Sequence, residues 1–364
     1  MMLEMNEQQQ MFKSTIEKFV VPVDAAAFKS SDGIDIQRWG ELVDLGLLTC
    51  WTGLVSPDLG EMAVSPRDLM VVSEALGYGI SPEPWLENGI APLLIVAAAE
   101  KRGLMDDLAS GMHMFALGSL YGEKGAGVPV LSRIAGKGGD DTYQLDGDGV
   151  LIAGGGAASR FIIPARFNGD LTFCIISSDD QGVTARPYRL GDEKLAVKAD
   201  FQSVRIDEGS LLGVDGDCLD RVISLLYFSI TANLLGITRR LYDESVAYCR
   251  QREQFGQPIA QFQAVRHRLV DCYVELELIR GLLIRMSITE NDAFMTTIEK
   301  AWQVKSYVST IARRIAQEAV QLHGAIGITD ELIIGHGLKR ILVLDRLYED
   351  FSPEMGKRSG STER

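Results

Sequence analysis

The sequence has few of the residues that build disulfide frameworks and metal sites. Its 364 residues include only five cysteines, which are scattered and form no C-x-x-C pair, and only four histidines, none at ligand spacing from a cysteine or another histidine. An odd number of unpaired cysteines does not indicate a disulfide scaffold and is typical of a reducing compartment. A zinc site is likewise not indicated.

Long apolar runs and an excess of positive charge are also missing. The longest apolar stretches, such as residues 93–99, fall far short of the roughly 18 residues that a membrane-spanning helix needs. With 36 lysines and arginines against 50 aspartates and glutamates, the formal charge is −14, which disfavours binding to nucleic acid or an anionic membrane surface. The N-terminal segment carries acidic and amide residues (Glu4, Asn6, Glu7 and Gln8) where a signal peptide needs a basic start and an apolar run, so no signal peptide is predicted. We expect a soluble cytoplasmic protein.

The hydrophobic pattern changes its period twice along the chain. Up to residue 114 apolar residues recur at helical spacing, as in Trp39, Leu42 and Val43. Between residues 115 and 212, short runs rich in β-branched and aromatic residues alternate with glycine, aspartate and asparagine turns, a pattern typical of strands. The helical period then returns over four long segments. The sequence therefore predicts an N-terminal α-helical domain (1–114), a middle β-barrel or β-sandwich domain (115–212) and a C-terminal four-helix bundle domain (213–364).

Three segments carry a resemblance to a known family. Arg252-Glu253-Gln254-Phe255-Gly256-Gln257-Pro258-Ile259, followed by Gln263, resembles an R-x-x-F-G-x-x-I…Q motif between two long helices. Gln321-Leu322-His323-Gly324-Ala325-Ile326-Gly327 is similar to a Q-x-x-G-G-x-G turn, and Glu74-Ala75-Leu76-Gly77 resembles an E-A-L-G signature. Together with the domain order, these segments resemble the acyl-CoA dehydrogenase family. The C-terminal helix resembles that of short bacterial members described as small subunits of dicarboxyl- or steroid-type acyl-CoA dehydrogenases.

The resemblance implies FAD as the cofactor, held across a subunit interface. In the family, the arginine that matches Arg252 reaches the FAD of the neighbouring subunit. A guanidinium suits the FAD pyrophosphate because its planar fork of donors makes charge-assisted hydrogen bonds. The alternative is an arginine on a solvated helix end, paired with Glu253 or another neighbour. The other residues that the resemblance places at the cofactor are Gln254, Phe255, Gln263, Gln321, Leu322, Gly324 and Ala325.

The second motif places glycines where a helix ends. Glycine lets backbone amides approach a cofactor without an intervening Cβ, and in the family this turn holds the adenosine end of FAD. The alternative is an ordinary glycine C-cap, which is common at helix ends. We expect His323 to be structural rather than catalytic, because the sequence offers it no evident partner.

The resemblance also implies a carboxylate base, which the family places at one of two points. One point lies on the helix before Arg252 and is matched here by Leu226, so that point lacks a carboxylate. The other lies in a Y-E-G-T-like stretch, matched by Tyr348-Glu349. An ungapped comparison puts the catalytic point on Tyr348, and one inserted residue brings it to Glu349. We predict Glu349 as the base and Asp345 as the lesser candidate; the alternative is that these acids are solvated.

The middle domain departs from the family pattern. A T-E-P-G-like run is replaced by Leu120-Tyr121-Gly122-Glu123-Lys124, and a W-I-T run whose side chains face the flavin is replaced by Leu151-Ile152-Ala153. Only backbone N–H groups would then donate hydrogen bonds to the flavin ring in this region. This departure bears on both flavin affinity and flavin tuning.

Three functions follow from the resemblance. The leading hypothesis is a FAD-dependent acyl-CoA dehydrogenase subunit of fatty acid or steroid side-chain β-oxidation, which forms a trans-2-enoyl thioester and passes electrons to an electron-transfer flavoprotein. The first alternative is a non-catalytic subunit that holds FAD for a partner. The second is a flavin monooxygenase with the same fold. The assembly is open between homodimer, homotetramer and heteromer with a second dehydrogenase subunit.

Overall fold

Helices, then strands, then helices follow one another along the chain, in the order that the sequence predicts. The computed structural model describes residues 4–20, 34–60, 62–122, 127–134, 142–288 and 297–352. The first strand begins at Phe115 and the last strand of the large sheet ends at Leu212. Secondary structure therefore changes at the residues where the hydrophobic period changes.

Within its described residues, the N-terminal region is helical, and two of its helices begin at capping side chains. The Asp35 carboxylate accepts hydrogen bonds from the first turn of one helix, and Ser65 forms a reciprocal capping box with Asp68 at the start of another. The elements are α1 (Glu7–Val20), α2 (Ile36–Asp44), α3 (Pro66–Tyr78), a π-helical segment (Trp85–Ile90), α4 (Ala91–Ala98) and α5 (Arg102–Ser110).

The middle region forms one eight-stranded sheet. Its strands are β1 (Phe115–Gly122), β2 (Val130–Ile134), β3 (Thr142–Ala153), β4 (Arg160–Phe167), β5 (Asp170–Ser177), β6 (Val183–Arg189), β7 (Leu195–Ile206) and β8 (Leu211–Leu212). The order is β6-β7-β3-β1-β4-β5-β8, and β2 pairs with both β3 and β4. Phe161, Phe201 and Val150 belong to the buried cluster that the sheet encloses. Burial of such side chains stabilises the fold by about 1.5–3 kcal/mol each.

The C-terminal region contains four long helices and a short hairpin. These are α6 (Gly216–Gln251), the hairpin strands β9 (Glu253–Gln254) and β10 (Gln257–Pro258), α7 (Gln263–Ile288), α8 (Ile298–His323) and α9 (Ile333–Arg346). A 3-10 helix (Glu349–Phe351) follows α9.

The described residues divide into two compact units that do not follow the three predicted domains. The helical unit takes its residues from Met1–Ser30, Ser65–Pro82 and Tyr227–Leu347. The sheet unit takes its residues from Ser31–Val64, Glu83–Leu226 and Tyr348–Arg364. Helices α1 and α3 therefore belong with the C-terminal helices, whereas α2, α4 and α5 belong with the strands.

Helix α6 is the one described helix that is long and apolar enough, by length and composition, to cross a membrane. Of its 18-residue apolar window, 94% is buried inside the protein. The buried hydroxyls of Thr231, Thr238 and Ser245 each donate to the carbonyl four residues earlier, at 2.6, 2.6 and 2.7 Å, so these polar groups are satisfied within the helix. Burial in the core accounts for the apolar character of α6.

Two glycines let α3 and α6 cross in backbone contact. A Cβ on Gly77 would lie 2.1 Å from the carbonyl oxygen of Asn233, and a Cβ on Gly236 would lie 2.0 Å from that of Glu74. Asn233 Nδ2 also donates to the carbonyl of Ser73 at 3.1 Å. The glycine of the E-A-L-G segment is therefore required by this close approach, whatever its role in function.

Replacing Gly236 with alanine should destabilise the protein by about 3 kcal/mol, because the new methyl group overlaps backbone atoms that cannot yield without separating the helices. The control is Gly281→Ala on α7, where an added Cβ meets nothing within 4 Å. There alanine should stabilise by about 0.5–1 kcal/mol through its higher helix propensity. Urea unfolding measures both changes, and equal effects at the two positions would contradict the crossing.

Candidate functional site

Arg252 directly follows α6 and its backbone is fixed on both sides. Its N–H donates to the carbonyl of Tyr248 at 2.8 Å, and its carbonyl accepts from the N–H of Ile259 at 2.8 Å. The side chain is exposed. Among the described residues no ion pair to Glu253 or to another neighbour engages the guanidinium, and its exposure at the end of α6 is what both the cofactor-binding prediction and the solvated alternative expect. Arg252 is thus an exposed cation whose backbone is held by two hydrogen bonds.

The hairpin after Arg252 holds Phe255 at its tip. Phe255 has φ 52° and Gly256 has φ 79°, the left-handed values that a tight two-residue hairpin turn requires. The Phe255 side chain is 92% exposed, and its ring makes an edge contact with Phe262 at 6.1 Å between centroids. The turn therefore offers a large apolar ring to another molecule.

The second motif forms a turn that glycine alone adopts easily. Helix α8 ends at His323, and Gly324 follows with φ 70° and ψ −147° while its N–H donates to the carbonyl of Val320. This backbone region is essentially restricted to glycine. A Cβ on Gly327 would lie 3.0 Å from both Val320 O and His323 Cβ, so the turn folds back tightly against the end of α8. Gln321, Gly324 and Ala325 are exposed and Leu322 is half-buried.

A ring stack brings the ends of α6 and α8 together. Tyr248 and His323 stack with centroids 4.3 Å apart and planes 27° from parallel. His323 Nδ1 lies 2.8 Å from the carbonyl of Ala319, so Nδ1 carries the proton and donates. Tyr248 lies one turn before Arg252, and His323 immediately precedes Gly324. The sequence does not reveal that Tyr248 is the ring partner of His323. This stack connects the end of α6 that carries the Arg252 motif to the end of α8 that carries the Gly324 turn.

Asp345, the lesser candidate for the base, lies near the end of α9 in a network of cations. Its carboxylate oxygen is 3.6 Å from Arg313 Nη1 and 3.8 Å from Arg346 Nε. Its backbone carbonyl accepts a hydrogen bond from Lys305 Nζ at 2.7 Å. These contacts join α8 to α9 and give Asp345 an evident structural role.

Glu349 opens the 3-10 helix after a left-handed residue. Tyr348 has φ 57° and is 5% exposed, and Glu349 behind it is half-buried. The next carboxylate, that of Asp350, accepts a hydrogen bond from the N–H of Leu120 in β1. The segment of the predicted base is thereby anchored to the strand end where the resemblance places flavin contacts. Glu123 and Lys124 of that run lie outside the described residues.

The remaining predicted site positions in the sheet unit carry apolar side chains, or have backbone groups that are already hydrogen-bonded. Leu226 is fully buried, so the base position on α6 is filled by a core side chain. The N–H of Leu151 donates to Ser119 Oγ at 3.0 Å, and the Leu151 side chain is 38% exposed. The sheet therefore has no aromatic or hydroxyl side chain at the three positions that replace the W-I-T run.

A cavity of about 110 Å³ in the helical unit contains none of the predicted site residues. Its lining charges are already paired, with Lys13 Nζ 3.7 Å from Glu17 Oε1 and Arg239 Nη1 3.4 Å from Glu74 Oε1. The cavity is lined by Met5, Lys13, Glu17, Val71, Glu74, Ala75, Tyr78 and Arg239. Because its charges are satisfied within the chain, this cavity is not the candidate site.

Solved structures of known proteins share this fold. The structure superposes on a chain of the ChsE4–ChsE5 complex from Mycobacterium tuberculosis with a TM-score of 0.81 at 21% identity, over 100% of both chains. It superposes on a glutaryl-CoA dehydrogenase from Mycobacterium smegmatis, solved in complex with FADH2, with a TM-score of 0.81 at 19% identity, over 94% of this chain and 91% of that chain. The fold is that of the acyl-CoA dehydrogenases.

Comparison of the sequence with known proteins also finds acyl-CoA dehydrogenases. Residues 227–348 match the family model described as the acyl-CoA dehydrogenase C-terminal domain. A short-chain-specific acyl-CoA dehydrogenase from Megasphaera elsdenii is 27% identical over 265 residues, which are 69% of this chain and 68% of the relative. These matches confirm the predicted resemblance to the acyl-CoA dehydrogenases and the predicted fold class. The matched range contains Arg252 and Gly324 and ends at Tyr348, immediately before Glu349.

Replacing Gly324 with alanine should cost about 1–3 kcal/mol of stability, because its backbone dihedrals are strained for any residue with a Cβ. The cause is conformational rather than steric, since an added Cβ meets nothing within 4 Å. Gly213→Ala is the matched control, with equally open space and no left-handed φ. Thermal unfolding should show a lower midpoint for Gly324→Ala alone; the same midpoint for both variants would exclude the strained turn.

Proposed function

We propose that the protein is a FAD-dependent acyl-CoA dehydrogenase subunit that converts an acyl-CoA thioester to its trans-2-enoyl form. The match of residues 227–348 to the acyl-CoA dehydrogenase C-terminal domain and the similarity to a short-chain-specific acyl-CoA dehydrogenase support the reaction class. The observation that carries the proposal is the stack of Tyr248 on His323 at the junction of α6 and α8, because Tyr248 lies one turn before Arg252 and His323 directly precedes Gly324. Those are the two segments that the resemblance assigns to one FAD.

The donor set at this junction fits the diphosphate and adenosine end of FAD. The pyrophosphate is doubly charged, and a chain with a formal charge of −14 must supply a local cation for it. Arg252 supplies the cation, and its guanidinium is exposed. Gly324 leaves its backbone open to close approach. The glutamines whose amides complete the set, Gln254, Gln263 and Gln321, are all exposed.

The flavin end has a poorer donor set in this chain. Leu151, Ile152 and Ala153 provide no side-chain donor, and the N–H of Leu120 is taken by the Asp350 carboxylate. Binding of the ring would therefore depend on other backbone groups. This imbalance fits a site to which another subunit contributes.

Glu349 is the proposed base. Its carboxylate would accept the proton that leaves the α-carbon of the thioester as the Cα–H bond breaks. The electron pair of the broken Cα–H bond becomes the new π bond, and FAD, when bound, would supply the acceptor for the hydride that leaves the β-carbon with the two electrons of the oxidation. The hydrogen bond from the N–H of Leu120 to the Asp350 carboxylate ties the residue after Glu349 to β1.

A non-catalytic role in a heteromer is the second candidate, and two observations favour it. Leu226 fills one base position with a fully buried apolar side chain, and Glu349 lies just beyond the range that matches the family. One structural neighbour is titled as a complex of two named chains, ChsE4 and ChsE5. In this role the chain would lend Arg252 and the Gly324 turn to a partner's FAD.

The exposed face of α7 supports assembly in either case. Val270, Val274 and Leu278 recur every four residues and are 58%, 51% and 58% exposed, which places an apolar stripe on one side of the helix. We propose that this face and Phe255 contact another subunit, in a homodimer, a homotetramer or a heteromer. We also propose that electrons pass to an electron-transfer flavoprotein and that the protein works in the cytoplasm.

Glu349→Gln should slow reduction of the bound flavin by acyl-CoA about 10²- to 10⁴-fold, since a positioned general base contributes about that much. Anaerobic loss of flavin absorbance on adding acyl-CoA thioesters measures the rate. Asp345→Asn is the control and should leave the reduction rate close to that of the parent. Undiminished reduction in Glu349→Gln would remove Glu349 from its role. A chain that takes up flavin only with a co-expressed partner would favour the second candidate.

Arg252→Met should weaken FAD binding about 10- to 100-fold, because hydrogen bonds to charged groups contribute about 1.5–3 kcal/mol. Arg250→Met is the matched control, since Arg250 is also exposed, near the end of α6, and removes the same charge. Quenching of FAD fluorescence measures both affinities in the assembled protein. Equal losses in the two variants would show a general charge effect and would contradict a specific contact.

A further inference from the structure

The ends of α6 and α8 meet through a pair of rings that the reaction does not use. Tyr248 stacks on His323 with 4.3 Å between centroids, and His323 is buried at 7% exposure. We propose that Tyr248 and His323 are positioning residues that hold the Arg252 guanidinium and the Gly324 turn in the arrangement that FAD binding requires. This inference rests on the proposed function and concerns how the cofactor site is preformed.

Each ring is tied to one of the two segments by short backbone links. The carbonyl of Tyr248 accepts the N–H of Arg252 at 2.8 Å, so the ring and the cation share one helical turn. His323 directly precedes Gly324, whose N–H caps α8 at Val320. A displacement of either helix end would therefore move the guanidinium relative to the glycine turn.

The His323 ring is itself held in place from the α8 side. Nδ1 donates to the carbonyl of Ala319, four residues earlier in α8, at 2.8 Å. This hydrogen bond fixes the orientation of the ring. The missing Cβ of Gly327 would lie 3.0 Å from His323 Cβ, so the turn after α8 packs against the same residue. His323 thus contacts Tyr248 on one side and the turn on the other.

This arrangement should raise FAD affinity without touching FAD. A site whose donors are already in register avoids the entropic cost of ordering two chain segments on binding. Loss of the stack would leave Arg252 and Gly324 chemically intact but free to separate. The expected signature is weaker FAD binding by a folded protein, with aromatic replacement at position 323 restoring the affinity.

His323→Ala and His323→Phe test the proposal in the full-length, assembled protein. FAD affinity, by fluorescence quenching, and the visible circular dichroism of the bound flavin are the readouts. His323→Ala should bind FAD about tenfold more weakly, on the scale of an aromatic pair, and with altered dichroism; His323→Phe should restore both. Ile315→Val on α8, at a position 1% exposed, should lower the melting temperature without changing FAD affinity.

Each outcome either supports or overturns the positioning role of the stack, or overturns the proposed function. Unchanged FAD affinity in His323→Ala, or an equal loss in Ile315→Val, would overturn the positioning role while leaving the proposed function intact. Failure of His323→Phe to restore affinity would also overturn it, because the stack would not be the cause. If His323→Ala does not fold, Tyr248→Leu removes the same stack from the half-buried side and carries the same expectation. A parent protein that binds no FAD in any assembly would overturn the proposed function itself.

Discussion

The connection between an exposed cation at the end of α6 and a glycine-led turn at the end of α8 is the constraint on which the rest of this structure depends. A chain with a formal charge of −14 repels anions unless a positive group is held locally against that field. Arg252 is held by hydrogen bonds on both sides of its backbone, and Gly324 occupies dihedrals that other residues avoid. The Tyr248–His323 stack connects the helix ends that carry these two residues. The ends of α6 and α8 are in contact through this stack.

The core explains how the helix ends are kept in place. Gly77 and Gly236 let α3 and α6 approach until backbone atoms touch, which leaves little freedom for α6 to slide or rotate. Thr231, Thr238 and Ser245 satisfy their hydroxyls within α6, so burying these three polar groups costs the helix little. A helix fixed along its length presents Arg252 at a defined point.

Much of the fold could be predicted from the sequence, because hydrophobic period and turn residues are local signals. The strands begin at Phe115 and end at Leu212, where the period changes, and the motifs at Arg252 and Gln321 lie at helix ends as their glycines indicate. Contacts between distant segments could not be predicted. Neither the pairing of Tyr248 with His323 nor that of Asp350 with Leu120 leaves a local pattern, since each depends on how remote elements pack. The grouping of α1 and α3 with the C-terminal helices was missed for the same reason.

Competition for FAD by its two halves tests the central claim most directly. If Arg252 and the glycine turn grip the diphosphate and adenosine end, ADP should displace FAD from the assembled protein competitively, whereas riboflavin at the same concentration should have little effect. Isothermal titration with each compound, in the presence and absence of FAD, measures this. Displacement by riboflavin with no effect of ADP would contradict the account, because the cofactor would then be held by its ring and not by the junction of α6 and α8.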